Sequence, residues 1–123
     1  MAYRFTVIGG HYNVSQMDLT LRATTAGTVH FRLLDGTADL NLAPVGTIQL
    51  LLTDQAGGTK TFATGGSGLT VTSAANGSVD LVPGMGDIVA GSAPYRGYFK
   101  LHYGVNKWWF CPEDSEFTVR VRP

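Results

Sequence analysis

Three histidines, one cysteine and a scatter of aspartates are the residues through which this 123-residue chain could do chemistry. His11, His30 and His102 stand far apart with no ligand spacing, whereas a metal site needs several donors converging on one point. His30 and His102 fall at the polar positions of alternating segments, as surface histidines do. Cys111 could act as a nucleophile only with a base and an acid beside it. Its context, Trp109-Phe110-Cys111-Pro112, has no glycine-rich nucleophile turn, and a buried small hydrophobe is the simpler expectation. Asp35, Asp39 and Asn41 alternate and could offer oxygens to calcium, but the remaining ligands of a calcium loop are missing. A hairpin turn stabilised by Asp side chains accounts for them. Ser, His and Asp occur without a Gly-x-Ser-x-Gly elbow, and Gly65-Gly66-Ser67-Gly68 lacks the Lys-Ser/Thr of a phosphate loop. The expectation is a protein that is not an enzyme and holds no metal or cofactor.

The run Trp108-Trp109-Phe110 points elsewhere. In a strand, consecutive side chains leave on opposite faces, so Trp108 and Phe110 share one face and Trp109 takes the other. One large aromatic is then pushed off the main core. Packing at an edge under a loop is one outcome. An interface anchor is another, since Trp is enriched at binding hot spots. A sugar-stacking platform is a third. Trp109 is expected to be the outward ring, because Trp108 and Phe110 then pair on a core face.

The elements that must position these residues are strands. Leu19, Leu21 and Ala23 alternate with Thr20, Arg22 and Thr24, and Val29, Phe31 and Leu33 with His30 and Arg32. Ile48, Leu50 and Leu52 follow the same rule, as do Leu69 with Val71 and Val79 with Leu81. Phe99, Leu101 and Tyr103 alternate with Lys100 and His102, and Phe117, Val119 and Val121 with Thr118, Arg120 and Arg122. Such period-two runs describe half-buried antiparallel strands. Asp35-Gly36, Gly57-Gly58, Gly65-Gly66, Asn76-Gly77 and Pro83-Gly84 are turn dipeptides between them. Many short strands with regular turns predict an all-β sandwich. The one candidate helical turn, Met85–Gly91, is too short to form a layer. Residues 1–16, with an apolar segment Tyr3–Ile8 before Gly9-Gly10, are expected to form an N-terminal arm or first strand ahead of a sandwich over 17–123. Ala63–Gly68 is expected to be an exposed loop tip.

Bulk properties narrow the classes. The length fits one domain able to bury roughly two-thirds of its unfolded surface without a disulfide, which a single cysteine excludes in any case. Charged residues make up only 15% of the chain, with nine basic and nine acidic residues cancelling. Low charge suits a β surface of Thr, Ser, Gly and Asn, and a surface partly hidden in an assembly. No basic cluster supports nucleic-acid binding. Arg120 and Arg122 mark the solvent face of a strand. No apolar stretch approaches the roughly 18 residues of a membrane helix. Met1-Ala2-Tyr3-Arg4-Phe5 does not open like a signal peptide.

The order of features from Leu19 to Val121 resembles the immunoglobulin-like N-terminal domain of phage baseplate upper proteins and their stand-alone relatives among phage tail proteins. The run Leu34-Asp35-Gly36-Thr37-Ala38-Asp39-Leu40-Asn41-Leu42 is similar to that family's D-G-x-x-x-[DN]-L turn, with two residues before Asp39-Leu40 or four before Asn41-Leu42 in place of three. The strand Thr47–Asp54 follows, ending near a glycine pair. Ala74-Ala75-Asn76-Gly77-Ser78-Val79 matches an A-A-N-G-x-V hairpin. Tyr95-Arg96-Gly97-Tyr98-Phe99-Lys100-Leu101 matches a Gly-Tyr strand, and Phe117–Val121 the closing F-T-V-R-V strand. The chain departs from the family in stopping at Pro123, before the region that carries a receptor-binding module, and in adding residues 1–16.

The resemblance implies an immunoglobulin-like antiparallel β-sandwich in a non-enzymatic bacteriophage virion protein. It would be a tail, baseplate, neck or capsid-associated subunit, made in the host bacterial cytoplasm and carried in the virion. Its expected partners are other virion proteins, in a homo-oligomer or symmetric assembly, with no nucleic acid and no membrane. Tyr3, Phe5 and Val7 of the first segment, with Trp108, Trp109 and Phe110 in the anchor segment Val105–Phe110, are the expected interface residues. A carbohydrate-binding module using Trp108 or Trp109 is the alternative. The pattern predicts a far-ultraviolet circular dichroism spectrum of β type. A helix content near the roughly one-third of an average globular protein would contradict it.

Overall fold

Each alternating segment becomes a strand because its apolar face has a second sheet to meet. The computed structural model describes residues 2–9, 18–22, 28–35, 38–65, 68–83, 94–104, 107–111 and 116–122, with side chains described among these from residue 28 onward, Asp35 and Arg122 excepted. The strands are β1 (Ala2–Gly9), β2 (Asp18–Arg22), β3 (Thr28–Asp35), β4 (Ala38–Asp39), β5 (Thr47–Thr53), β6 (Thr59–Ala63), β7 (Leu69–Ser73), β8 (Ser78–Leu81), β9 (Tyr95–Gly104), β10 (Lys107–Cys111) and β11 (Phe117–Arg122). One sheet has five strands in the order β1-β3-β8-β7, with β4 beside β3. The other has six in the order β2-β11-β9-β5-β6, with β10 beside β9. The two sheets pack face to face as an immunoglobulin-like sandwich, and no helix occurs among the described residues. The short helical turn expected at 85–91 lies outside them.

Most pairings are antiparallel, as expected, but the first two strands join in parallel. β1 runs beside β3 from Ala2↔Thr28 to Gly9↔Asp35, and β2 runs beside β11 from Thr118↔Asp18 to Arg122↔Arg22. Parallel neighbours cannot be joined by a tight hairpin. The chain meets this constraint by changing sheets: it leaves β1, contributes β2 to the opposite sheet, and returns as β3 alongside β1. Residues 2–9 therefore form a strand of their own sheet.

β9 is the axis of the six-stranded sheet. On one edge it pairs with β5 from Thr53↔Arg96 to Thr47↔His102. On its other edge, Phe99–Gly104 pair with β10 and Tyr95–Gly97 with β11. Strands β10 and β11 are thus two pieces of one return path, separated by residues 112–116.

The core is apolar throughout: among the described residues no buried side chain is polar or charged. At its centre Phe31 of the five-stranded sheet meets Phe99 edge-on, with ring centroids 5.0 Å apart at 77°. Phe117 lies 6.0 Å from Phe31 and 6.1 Å from Phe99, closing an aromatic triangle between the sheets. Edge-to-face and offset pairs are favoured by the ring quadrupole, by about 0.5–1.5 kcal/mol each beyond the area they bury. Gly97 leaves the room this triangle needs. A Cβ at that position would stand 2.7 Å from Leu52 Cδ2 and 2.8 Å from Phe117 Cζ.

The turns follow side-chain and backbone chemistry. Asp54 Oδ1 accepts from the Ala56 and Gly58 N–H groups at 3.0 and 2.9 Å, which closes the β5–β6 hairpin. Gly77 has φ +67°, and its N–H donates to the Ala74 carbonyl at 3.4 Å. A Cβ there would meet the Leu33 carbonyl oxygen at 2.3 Å, so the Asn76-Gly77 turn requires glycine.

Replacing Phe99 by Ala removes the middle of the triangle and should destabilise the domain by about 3–5 kcal/mol in denaturant unfolding. Gly97→Val overpacks the same place and should cost about 1–3 kcal/mol. Unchanged midpoints for both would show that the intersheet packing is not the source of stability.

Candidate functional site

The largest aromatic groups outside the core lie on the β9–β10 hairpin. The outward positions of β9 are Arg96, Tyr98, Lys100 and His102, alternating with the buried Tyr95, Gly97, Phe99 and Leu101. Register places Trp108 opposite His102 and Phe110 opposite Lys100. Directly opposed residues share a face of the sheet, so both rings join this outward row. Trp108 is 39% and Phe110 38% exposed.

The cluster is held by its own contacts. The His102 and Trp108 rings stack with centroids 4.1 Å apart and 16° between planes. Lys100 Nζ lies 4.2 Å from the Trp108 ring centroid, a cation–π contact worth about 0.5–1 kcal/mol at an exposed site. Tyr98 meets Phe110 edge-on at 5.7 Å. Arg96 Nη1 reaches Glu116 Oε1 at 3.8 Å, with the Arg96 side chain largely exposed. An ion pair this long and this exposed adds little stability.

The placement of the tryptophans corrects one expectation. Trp109, expected outward, packs against the core, while Trp108 and Phe110, expected to form the core face, point to solvent. The cause is parity. Cys111 is fully buried opposite the buried Phe99, so Trp109, two residues earlier, must share its inward side. The expected burial of Cys111 held the information, because residues 109 and 111 cannot face opposite ways in one strand. A second difference lies nearby. Tyr103 was placed with Phe99 and Leu101 on the core face, yet it is 36% exposed. The β9 register steps from Gly104 to His102 while β10 steps from Lys107 to Trp108, so Tyr103 is the extra residue of a bulge that turns the strand end away from the core.

The remaining candidates fall elsewhere. Tyr3, Phe5 and Val7 stand on β1, in register with Val29, Phe31 and Leu33. They belong to the five-stranded sheet and Trp108, Trp109 and Phe110 to the other, and β1 and β10 approach each other across the two sheets. His30 Nδ1 lies 2.7 Å from Asp80 Oδ1 across β3 and β8, a cross-strand pair on the outer side of the five-stranded sheet. Asp39 accepts from Arg32 Nε at 2.9 Å, and Asn41 Oδ1 accepts from the Ala43 N–H at 3.0 Å. Those oxygens therefore serve an ion pair and an Asx-type turn. His11 lies outside the described residues. No group of three or more His, Cys, Asp or Glu that could hold a metal occurs among the described residues.

Sequence reasoning missed Tyr98, Lys100 and His102 as partners of the Trp108–Phe110 row. Their alternation along β9 was visible, but the cross-strand register that places them beside the rings was not.

The fold and the site together define a class: an immunoglobulin-like β-sandwich with a basic and aromatic outer face on one sheet. No family model and no curated protein matches the chain. Solved structures do match, among them the N-terminal domain of phage TP901-1 ORF48. That match has a TM-score of 0.61 and 11% identity, and covers 99% of this chain and 98% of that one. The sequence resemblance to the N-terminal domain of a phage protein and this likeness of fold agree.

The two tryptophans should separate cleanly on substitution. Trp109→Ala should lower stability by about 3 kcal/mol, as loss of a ring packed on the core does. Trp108→Ala should shift it by less than about 1 kcal/mol, the scale of the exposed contacts it loses. Equal destabilisation by both, measured by urea unfolding, would contradict the assignment of faces.

Proposed function

We propose that this protein is a non-enzymatic structural subunit of a bacteriophage particle, acting through contacts with other virion proteins in a symmetric assembly. Its place is in the tail, baseplate, neck or capsid surface, after synthesis in the host cytoplasm. The observation that carries this reading is the likeness, over 99% of the chain, to the N-terminal domain of a phage protein. Two further features support it. The chain has only 15% charged residues, and charge is depleted in the buried centres of protein interfaces. Trp108 and Phe110 are exposed, Phe110 against Tyr98, and Trp and Tyr are among the residues enriched at hot spots. In this reading Trp108 and Phe110 make one contact with the particle, and Trp109 supports them from the core side. The backbone edge of β1, the strand that carries Tyr3, Phe5 and Val7 and stands last in the order of its sheet, offers a second contact.

A carbohydrate-binding module has less support. Sugar stacking needs an open ring face, and the Trp108 ring is engaged by His102 and Lys100. Trp109 packs inward.

Mass spectrometry of gradient-purified particles should find the chain at a fixed stoichiometry. Trp108→Ala combined with Phe110→Ala should keep the wild-type melting temperature and reduce incorporation at least tenfold. Absence of the wild-type chain from particles, or glycan binding lost in the double variant, would overturn the proposal.

A further inference from the structure

We infer that the outer edge of β2 pairs antiparallel with β2 of a second copy, joining two six-stranded sheets about a two-fold axis at Thr20; this rests on the reading of the chain as a subunit of a symmetric assembly and names a contact between copies. β2 stands last in the order of its sheet, and among the described strands only β11 pairs with it. An edge strand offers a row of backbone N–H and C=O groups that a further strand can satisfy. The run Asp18-Leu19-Thr20-Leu21-Arg22 is complementary to itself when turned end for end. With Thr20 on the axis, Asp18 stands opposite Arg22 of the second copy, Leu19 opposite Leu21, and Thr20 opposite Thr20. Opposite charges and Thr–Thr pairs are favoured cross-strand neighbours. Each pair joins positions of one parity, so the inner and outer faces run on unbroken across the junction. Whichever alternate set of backbone groups points away from β11, the two strands present the same set to each other.

The register with β11 supports this occupant. Leu19 and Leu21 stand opposite Val119 and Val121, of which Val119 is buried and Val121 packs against the core. Pairing the two β2 strands carries that inner face from one copy into the next. On the outer face Arg22 stands opposite Arg122 and Asp18 opposite Thr118. Like charges on neighbouring strands repel, and the second copy sets its Asp18 on the other side of Arg22. The pairing asks nothing of Arg120, which stands opposite Thr20 and is already engaged within the chain.

Other edges lack this match. Turned about Thr61, β6 would set Lys60 opposite Phe62. Turned about Phe5, β1 keeps its faces but has no acid to meet Arg4. β7 and β10 are bulged, which spoils regular strand addition. A strand of another protein would satisfy the backbone of β2, but it would need the same charges at the same spacing, which a second copy has by construction.

The test uses the full chain, in sedimentation up to its solubility limit and in oxidative cross-linking of Thr20→Cys. The wild type should form a dimer. Thr20→Cys should form a disulfide-linked dimer, because opposed residues on the axis come within reach of a disulfide. Thr118→Cys, one strand away, should not, and the buried Cys111 adds no background. Asp18→Arg and Arg22→Asp should each weaken self-association about tenfold or more, since both ends of the pairing then carry like charges. A mixture of these two variants should associate as the wild type does, because each supplies the charge the other lacks. Unfolding midpoints check that both are folded, and Thr20→Cys, which changes no charge, decides the case if a reversal is not. A wild type monomeric throughout, no cross-link through Thr20→Cys, folded single reversals that associate like the wild type, or a mixture of them that stays monomeric would each overturn the inference. So would a dimer lost on Trp108→Ala with Phe110→Ala instead. Particle incorporation is scored separately. A chain present in particles without this dimer sinks only this inference, whereas a chain absent from particles sinks the reading beneath it.

Discussion

The contact between Phe31 and the pair Phe99–Phe117 ties the two sheets together, and the rest of the molecule is arranged around it. Phe31 comes from β3, the strand that carries β1, β4 and β8 as neighbours. Phe99 comes from β9, which carries β5, β10 and β11. The triangle thus joins the most connected strand of each sheet. It also fixes parity. With Phe99 inside, Tyr98 and Lys100 must be outside, and the pairing of Phe99 with Cys111 then fixes which of the aromatics on β10 face solvent. A core decision therefore writes the outer surface, because a strand has only two faces to distribute. Gly97 belongs to the same constraint. Its missing side chain is the space that Phe117 and Leu52 fill, so β9 gives up a residue's packing there to admit the ring from β11.

Much of this was legible in the sequence where one face of a strand is buried and the other wet. Val29, Phe31 and Leu33, or Ile48, Leu50 and Leu52, state their face unambiguously, and each lies in a strand with that face inward. The strands that escaped detection lack that contrast. β6 reads Thr-Lys-Thr-Phe-Ala and contributes Phe62 alone to the buried core. β4 has only two residues, both exposed. β10 fails in the opposite way: aromatic residues occupy both faces, so hydrophobicity alone cannot choose between them. There the smallest residue, Cys111, carried the choice. The parallel joining of β1 and β2 was not legible at all, because alternation fixes a strand's faces but says nothing of its neighbours.

The site was legible as a set of residues and not as an arrangement. Trp108 and Phe110 stood out by type. What they would meet depended on the β9–β10 register, and that register contains a bulge at Tyr103. Without the bulge, a simple hairpin count misplaces the row by one residue, which in a strand means the wrong face. The same bulge turns Tyr103 outward at the end of β9, next to the row it displaces.

The contacts within the outer row bear on how it can bind. A long, exposed side chain loses about 0.5–1.5 kcal/mol of conformational freedom when a partner immobilises it. Here the stacking of His102 on Trp108, and of the Lys100 ammonium over the same ring, restricts these side chains before any partner arrives. The contacts contribute little to the stability of an exposed surface. In the proposed contact they would matter more, since a ring already held in place loses less freedom on docking. Lys100 Nζ lies against the indole, so apolar area and a basic side chain stand at one point. A wet, flexible surface would have to assemble that combination during the encounter. A sheet whose parity is set by its core presents it ready-made.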